Sequence, residues 1–467
     1  MGGLEISELM LSEVLKDNEK FRFDPEYFKK EYLEEIDKLK KFGYSNIKDM
    51  AFVTDGIHES IDFDKNSNIN LISAKSPKEN IFDLSNNDYI SSQQHIKNPR
   101  TELQKDDVII STVGTIGNCA VVDKTILPAN SDRHVGIVRL TNGFKPYVLS
   151  TFLLSKYGRF QTFRESTGNV QLNLFIYKIK TLKIPNFSDT FQIQVEQLVK
   201  LAHKKLANSK ILYEKAENLL LKELDLLDFE PTKENISIKS FSESFGSSGR
   251  LDSEYYLPKY DEVINKIKSY KSGFEIIKES CILKDKNYKP KEKEYYQYIE
   301  LSNIGNTGDI TGFTYGLGED LPSRARRLVK ENAVIISSIE GSLQKVALVS
   351  NKFNNSFCST GFYVLESNKF NPETLLVLFK NKMMQQILKQ NCSGTILTGM
   401  NKDDFLNIPL PLIEQSIQTQ IEDKIKESFR LKEESKELLE LAKRGVEVAI
   451  EEGEDVAMEF IGDIKNG

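Results

Sequence analysis

The chain has 467 residues, of which 39% are apolar, 10% aromatic and 28% charged. At roughly 100–200 residues per domain this length predicts about two to four domains, and the composition excludes a mostly disordered chain. The sequence has no apolar run long enough to span a bilayer, and no basic segment precedes an apolar one at the N-terminus. We therefore expect a cytoplasmic protein without a membrane anchor.

The net charge of −6 does not exclude nucleic acid as a partner, because the charge is uneven along the chain. Residues 413–467 hold 8 Lys/Arg and 15 Asp/Glu, a net charge of −7, so the remaining residues carry a net charge of +1. An acidic C-terminal segment therefore masks a nearly neutral body, in which local basic patches can occur.

An internal repeat with a period near 227 residues is the most informative feature of the sequence. Four segments recur in the same order: 22–28 at 250–256, 108–111 at 334–337, 114–122 at 341–349, and 192–196 at 418–422. This period is far longer than that of a solenoid repeat and indicates duplication of a whole domain.

Each half has the same predicted order of elements. A short helical segment is followed by about 150 residues of short strands and turns, and a long charged helix comes last. In the first half we predict strands at 108–111 and 119–122, a helix at 147–159 and a long helix from about 190 to 228. In the second half we predict strands at 333–336 and 346–349, a helix at 372–389 and a second long helix. The fold class predicted is α+β, of largely antiparallel or mixed sheets.

The long helices carry a coiled-coil seam. In the first helix, residues at alternating spacings of four and three form the seam: Val195, Val199, Ala202, Leu206, Ser209, Tyr213, Ala216 and Leu220. A shift of 226 residues places Ile421, Ile425, Ser428, Lys432, Ser435, Leu439, Ala442 and Val446 in the same slots. This register predicts two helices that pack antiparallel as a rigid spacer between two globular modules. The alternative is that each helix packs separately on its own domain.

Motifs for catalysis are absent from the sequence. There is no P-loop, no GxGxxG after a strand, no HExxH and no GxSxG. The four histidines are not at metal-ligand spacing, and the four cysteines form no CxxC pair, so we expect free buried thiols instead of a metal cluster or a disulfide framework. A binding role is therefore favoured, although a stand-alone nuclease or methyltransferase with degenerate motifs stays an alternative.

Several segments resemble the specificity subunit of Type I restriction–modification systems. The resemblance lies in residues 55–60 (DGIHES), 71–75 (LISAK), 89–91 (YIS) and 105–117 (KDDVIISTVGTIG) of the first half, and in residues 322–327 (PSRARR) leading into 334–337 (VIIS) of the second. The order of these segments, with a long helix after each set, carries the resemblance over nearly the whole chain.

The resemblance implies a fold of two pseudo-repeated target-recognition domains separated by two long antiparallel coiled-coil helices. The first recognition domain would span 1–187 and the first long helix 188–230. The second recognition domain would span 231–411, and the second long helix with an acidic C-terminal tail 412–467.

The resemblance also implies a division of labour between this chain and its partners. The chain would read a bipartite double-stranded DNA target and position two adenine-methyltransferase subunits on it, with restriction–translocase subunits joining in a full restriction complex. Catalysis, S-adenosylmethionine, ATP and Mg²⁺ would belong to those partners, and this chain would bind no cofactor. Alternatives are the specificity subunit of a Type IIB-like system and a coiled-coil scaffold with two protein-binding domains.

Candidate DNA-binding residues of the second module are mainly basic. Arg324, Arg326 and Arg327 form the densest arginine cluster of the chain, and guanidinium groups suit bidentate pairing with phosphate or guanine. Lys289 belongs to a run of lysines interleaved with tyrosines, and Lys345 follows the strand–turn motif. Surface ion pairs and a solvated loop are the alternative interpretations.

In the first module the candidates are Lys75, His58, Arg133, His134 and Asn118. A loop position is predicted for 131–134, which follow a Pro-Ala-Asn turn. Loop positions suit base-edge and phosphate contacts, but an ordinary solvated side chain is the alternative for each. For Asn118, which follows Gly114 and Gly117, a tight structural hairpin is at least as plausible.

Overall fold

The computed structural model describes residues 8–15, 22–168, 170–394 and 398–466. Residues 1–7, on which part of the expectation about targeting rests, lie outside the described residues. The chain divides into two compact units, the first formed by 1–206 with 433–467 and the second by 207–432. Among the described residues, no helix combines the length and the apolar character that crossing a membrane requires.

The first unit combines helices with short strands. Its helices are α1 (Leu11–Leu15), α2 (Lys30–Phe42), α3 (Ser92–Lys97), α4 (Pro146–Leu154), α5 (Lys156–Glu165), α6 (Ile176–Ile179) and the start of α7 (Asp189–Glu223). Its strands are β1 (Tyr44–Asn46), β2 (Ala51–Asp55), β3 (Ile69–Ile72), β4 (Asp88–Ile90), β5 (Val108–Ser111), β6 (Cys119–Val121), β7 (Ala129–Ser131), β8 (Val135–Leu140) and β9 (Lys183–Pro185).

The described residues of the first unit form three sheets. Strands β2, β8, β5 and β6 form an antiparallel sheet in that order, β4, β3 and β7 form a second sheet, and β1 pairs with β9. Within the second sheet, β3 runs parallel to β7 and places Ile72 opposite Ser131. The first unit is therefore a mixture of helices with mainly antiparallel strands.

Strand β5 is buried on both faces, which explains its uninterrupted apolar sequence. Val108 and Ile110 join a large core with the helices, whereas Ile109 points into a smaller core shared with Ile72 and Ala129 of the second sheet. The sheet thus separates a helical layer from the second sheet.

The second unit has corresponding elements. Its helices are α8 (Phe245–Ser248), α9 (Pro258–Lys268), α10 (Ile277–Ser280), α11 (Pro372–Lys380), α12 (Lys382–Gln390), α13 (Lys402–Leu406) and the first part of α14 (Gln415–Glu452); α15 (Glu454–Asn466) follows in the first unit. Its strands are β10 (Phe274–Ile276), β11 (Ile282–Leu283), β12 (Tyr295–Ile299), β13 (Thr314–Leu317), β14 (Ala325–Leu328), β15 (Val334–Ser337), β16 (Val346–Leu348), β17 (Phe357–Ser359), β18 (Phe362–Glu366), β19 (Cys392–Ser393), β20 (Gly399–Met400) and β21 (Pro409–Pro411).

The main sheet of the second unit has the order β11, β18, β15, β16, and a second sheet has the order β13, β12, β17, β14. Strand β12 runs parallel to β17 and places Ile299 opposite Cys358. Val334 and Ile336 of β15 face the helical core, while Ile335 faces a core with Ile299. The layering therefore follows the pattern of the first unit.

Two predicted helices are each divided in two by a capping residue. The segment 147–159 falls in α4 and α5, because Ser155 adopts an extended backbone and its side chain accepts a hydrogen bond from the amide of Gly158. The segment 372–389 falls in α11 and α12, where the side chain of Asn381 caps the amides of Met383 and Met384. A serine or asparagine N-cap supplies acceptors that free helix amides need, so each forms a break between two helices.

The predicted seam residues are mostly buried where the long helices pack. Of the sixteen, thirteen are buried, and Leu206, Lys432 and Leu439 are half-buried. In the first unit, the side chain of Ser435 donates to the carbonyl of Ala202 (2.7 Å), and Lys205 pairs with Glu434 at 2.5 Å, so the contacts run antiparallel.

The polar centre of the seam is satisfied by serine hydrogen bonds. In the second unit, the Ser428 hydroxyl donates to the carbonyl of Ser209 at 2.7 Å, and the two hydroxyls lie 3.1 Å apart. Hydrogen-bonded serines let two backbones approach closely without leaving an unpaired polar group.

Candidate nucleic-acid interface

Four loops of the first unit meet at the ends of its two larger sheets. We refer to them as the first loop cluster, and they comprise residues 56–58, 73–75, 112–115 and 132–134. Each follows or joins a strand, namely β2, β3, β5 and the β7–β8 connection. The sheets therefore present these loops together, on rigid supports.

Backbone hydrogen bonds join the loop after β2 to the β7–β8 connection. The amide of Ile57 donates to the carbonyl of Ser131 at 2.8 Å, and the amide of Asp132 donates to the carbonyl of Ile72 at 3.0 Å. Gly56 directly precedes Ile57, and a Cβ atom on residue 56 would stand 2.1 Å from the carbonyl oxygen of Asp132. Only glycine therefore permits this close approach of two backbones.

The other two loops join the cluster through polar contacts. The amide of Thr112 donates to the carbonyl of His134 at 3.0 Å. The hydroxyls of Ser111 and Thr115 both donate to the carbonyl of Ala74, each at 2.8 Å. The loop that carries Lys75 is therefore bound to the hairpin that follows β5.

The predicted candidates of the first unit converge on this cluster, except for Asn118. Lys75 and Arg133 are exposed, and His58 is exposed over 61% of its side chain. The ring of His134 is half-exposed, with its Nδ1 lying 3.2 Å from the Asp132 carboxylate. Four residues that are separated by up to 76 positions in sequence thus form one solvent-facing edge, whose cations are Lys75 and Arg133.

Asp55 and Arg100 hold the His58 loop in place. The Asp55 carboxylate accepts from His58 Nε2 at 2.6 Å and from Arg100 at 2.9 Å, and Arg100 also donates to Thr54 and to the carbonyl of Gly56. Burial raises the pKa of Asp55, but the hydrogen bonds from His58 and Arg100 outweigh it and hold that pKa below its usual value. The loop therefore rests on an ionised carboxylate.

Asn118 lies on the hairpin between β5 and β6 and is engaged within its own unit. Its side-chain oxygen accepts from Arg159 at 2.7 Å, and the same guanidinium donates to the carbonyl of Ile116 at 3.0 Å. Gly117 adopts a φ of +79°, as a tight turn requires. The geometry favours the structural hairpin over an outward-facing Asn118.

In the second unit, the arginine cluster and the lysine–tyrosine run lie side by side. The amide of Tyr288 donates to the carbonyl of Arg326 at 2.8 Å, and Asn287 forms a bridge with Arg327 of β14. We call this surface the second basic face, which comprises Lys286, Tyr288, Lys289, Arg324 and Arg326. Sequence reasoning selected the two groups separately, and the fold brings them together.

The three arginines of the cluster have different surroundings. Arg324 is exposed, and the Nε of Arg326 donates to the carbonyl of Ser323 at 3.0 Å. Arg327 is half-buried, and its Nε and Nη1 atoms are inaccessible to solvent without a hydrogen-bond partner among the described residues. Arg327 stands opposite the buried Cys358 in the register of β14 with β17, and its inaccessible nitrogen atoms show that the guanidinium points into the unit.

The lysines of the second basic face are solvated. Lys289 lies 3.5 Å from Glu292 with both side chains mostly exposed, and the Lys286 ammonium lies 5.1 Å from the centroid of the Tyr288 ring. Exposed ion pairs of this kind contribute little to stability and exchange readily for another anion. In the sheet that contains β14, the rings of Tyr295 in β12 and Tyr315 in β13 stack with their centroids 5.3 Å apart.

Lys345 turns towards its own unit. Its ammonium donates to the carbonyl of Ile304 at 2.9 Å, and the side chain is half-buried. The contact ties the turn before β16 to another turn of the second unit. This geometry does not bring Lys345 to the second basic face.

The described residues contain no cluster with the composition of a metal site. No set of three His, Cys, Asp or Glu side chains there could hold a metal ion. The four cysteines are buried free thiols, and burial raises the pKa of Cys392 to about 11, so that thiol is protonated and unreactive at neutral pH.

Sequence reasoning missed the residues that support the candidate loops. Arg100, Arg159 and Lys402, which pairs with Asp285 at 2.5 Å, each act through contacts more than 40 positions away in sequence. No local sequence motif identifies these three cations, although each contacts a residue in or beside a candidate loop in the folded chain.

Comparisons with known proteins agree with the sequence motifs in the second half. Residues 266–441 match the family model of the Type I restriction modification DNA specificity domain. The match confirms, over this part of the chain, the resemblance predicted from the motifs. No curated protein matches the sequence.

Solved structures with similarity include specificity subunits. An S subunit of a Type I restriction–modification system from M. genitalium is 14% identical, with 90% of this chain and 95% of that chain covered and a TM-score of 0.40. The HsdS subunit from Thermoanaerobacter tengcongensis is 13% identical, with 88% and 97% covered and a TM-score of 0.29. At TM-scores below 0.5 these superpositions do not define the fold of this chain.

Proposed function

We propose, from the match of residues 266–441 to a Type I restriction modification DNA specificity domain, that the chain is a DNA sequence-specificity subunit. Each unit reads one half of a bipartite double-stranded DNA target. The first loop cluster reads one half-site, and the second basic face reads the other. The family match is the observation that carries this proposal.

We infer that the two units arose by duplication, which supports a target with two separate halves. The main sheets have corresponding strand orders, β2–β8–β5–β6 and β11–β18–β15–β16. The parallel pair Ile72–Ser131 corresponds to Ile299–Cys358 at a constant offset of 227. Because the loop residues of the two units differ, we expect the two half-sites to differ in sequence.

The chemistry of the two surfaces suits DNA. Exposed Arg and Lys side chains can neutralise phosphates, and loops held on strands can present side chains to base edges. The first loop cluster offers histidine and arginine at its edge, and the second basic face adds a tyrosine beside its cations. Sequence readout by diverged loops on a shared scaffold explains why the strands recur while the loops do not.

Catalysis falls to partner subunits under this proposal. The long helices dock two adenine-methyltransferase subunits, which bind S-adenosylmethionine, and a full restriction complex adds ATP- and Mg²⁺-dependent translocase subunits. The chain itself contributes no cofactor site and works in the cytoplasm, where its DNA target is. The seam register, with its offset of 226, supports a spacer of fixed length between the two readers.

Selection from a random duplex library tests the proposal. The chain is co-expressed with the methyltransferase subunit of its own system, and bound duplexes are sequenced. We expect two short conserved blocks separated by a gap of constant length. Binding without sequence preference, or no DNA binding, would contradict the proposal, and the latter would favour a coiled-coil scaffold for two protein partners. Double-strand cleavage on both sides of the site by the same complex would favour a Type IIB-like system.

A further inference from the structure

A tight turn in the second unit lies against the long helix α14. The turn spans residues 304–310 and closes through a bridge between Ile304 and Ile310. The amide of Gly305 donates to the carbonyl of Asp309 at 2.8 Å, and the amide of Leu348 in β16 donates to the carbonyl of Gly308 at 3.0 Å. The turn is therefore fixed to the main sheet of its unit.

Lys432 of α14 reaches this turn through a partly buried ion pair. Its ammonium lies 2.7 Å from a carboxylate oxygen of Asp309 and donates to the hydroxyl of Thr307 at 3.0 Å. The side chains of Lys432 and Asp309 are only 19% and 13% exposed. A buried pair gains little net stability because desolvation offsets the attraction, but it admits one geometry and strongly disfavours others.

The position of Lys432 in the helix makes this contact unusual. It occupies a seam slot, and the corresponding slot of α7 holds Leu206. An aliphatic side chain there would favour packing against the partner helix. The lysine side chain instead points away from the partner helix and connects α14 to the turn at 304–310.

The first unit has a corresponding turn with different chemistry. Residues 77–82 close through a bridge between Pro77 and Phe82, and Asn80 adopts a φ of +61°. His203 of α7 donates a hydrogen bond from Nε2 to the carbonyl of Asn80 at 2.8 Å. The side-chain amide of Asn80 donates a hydrogen bond to the hydroxyl of Thr151 at 3.1 Å. Burial lowers the pKa of His203, which keeps the ring neutral at neutral pH.

We infer that these two turns act as latches that fix each recognition domain on its own part of the long helices, with Lys432 and His203 as positioning residues for the gap between half-sites. The inference rests on the proposed function. A domain that rocks on its helix shifts its loops along the DNA, so a loosened latch relaxes the required gap. In both units one turn contacts one residue of a long helix. The contact is an ion pair in the second unit and a neutral hydrogen bond in the first, so the two units share the position of the contact and not its charge.

Three variants separate positioning from stability. The double variant Lys432→Leu with Asp309→Asn removes both charges of the pair together and restores the residue type of the equivalent α7 slot. Lys432→Arg keeps the charge and can still pair with Asp309. The matched control Glu433→Gln with Lys436→Met removes an exposed pair of 3.3 Å one turn further along α14.

The test measures binding of each complex to duplexes that carry both half-sites at a series of neighbouring gap lengths. We expect the wild type, the control and Lys432→Arg to prefer one gap. The double variant should lose roughly tenfold or more of that discrimination, within the range that one wrong base pair costs. An unchanged gap profile in the double variant would overturn the inference.

Failure of the proposed function has a different signature, because the wild type itself would then show no bipartite binding. In that case amide hydrogen exchange of the full chain decides the matter for the latch. Residues 304–310 should exchange faster in the double variant than in the control, since local opening sets the exchange rate. Equal exchange in the two variants would contradict the latch.

Discussion

Replacing Arg324 and Arg326 by alanine should weaken DNA binding in a salt-dependent manner. Both side chains lie on the second basic face, where Arg324 is exposed and Arg326 donates from its Nε to the Ser323 carbonyl. Each phosphate contact contributes about 0.9 to the slope of log K against log salt, so losing two contacts should reduce the slope by about 1.8. At 0.1 M salt this corresponds to about a 60-fold loss of affinity, and the loss should vanish near 1 M.

Arg327 should behave differently from its two neighbours. Its Nε and Nη1 atoms are inaccessible to solvent, so Arg327→Ala should change thermal stability and leave the salt slope unaltered. This contrast distinguishes the arrangement seen in the structure from a uniform cluster of three DNA contacts.

The assay is fluorescence anisotropy of a labelled duplex, titrated with the complex at several salt concentrations. Arg430→Ala is the control, since Arg430 is an exposed arginine of α14 that pairs with Glu427 at 2.7 Å. An unchanged slope and affinity in the double variant would refute the assignment of the second basic face. A reduced slope in the Arg430 variant would show instead that the long helix contacts DNA.

Three further predictions concern the framework of the first unit and the helix seam. Gly56→Ala should destabilise the first unit by about 1–3 kcal/mol, since the added Cβ overlaps the Asp132 carbonyl, and should impair reading of one half-site only; an unchanged melting temperature would contradict this. Ser428→Ala should cost about 1 kcal/mol in a denaturation experiment, because its hydrogen bond to the Ser209 carbonyl is lost, and no loss would argue against a stabilising role for this seam contact. Burial lowers the pKa of His203, so the unfolded chain binds a proton at higher pH than the folded chain does. The contribution of His203 to the free energy of unfolding is therefore present above its unfolded pKa of about 6.5 and is lost as the pH falls through the folded value. His203→Gln should flatten this part of the pH–stability profile, and equal profiles for the variant and the wild type would refute the prediction.

The strands and long helices could be predicted from sequence because their signals are local. The run 108–111 and its copy 334–337 are continuous apolar segments between turns, and both are strands buried on two faces. Thirteen of the sixteen residues that the seam spacing selected are buried. Each of these patterns, the continuous apolar run and the seam spacing, lies within a single strand or helix.

Helix boundaries were predicted less well, for a physical reason. Ser155 and Asn381 interrupt otherwise continuous helical segments by capping the helix that follows. In a single sequence, a serine or asparagine within a helical run also fits a solvated helix position. The competing cap is favoured here by tertiary packing on both sides of the break.

The candidate surfaces were only partly predictable. His58 and Arg133 could be selected as candidates, but their proximity depends on the pairing of β3 with β7 and on the contact at Gly56. The inward direction of Arg327 follows from its place opposite Cys358 in a sheet whose register no motif encodes. Side-chain direction is therefore the part of the site that requires the structure.

Methylation-sensitive sequencing of genomic DNA, with and without the gene for this chain, tests the central claim most directly. If the chain directs an adenine methyltransferase to a bipartite target, one adenine-methylated motif with two blocks and a constant gap is lost on deletion and returns on complementation. If the methyltransferase genes are expressed and the pattern of methylated motifs is the same in both strains, the proposed role in DNA specificity is contradicted.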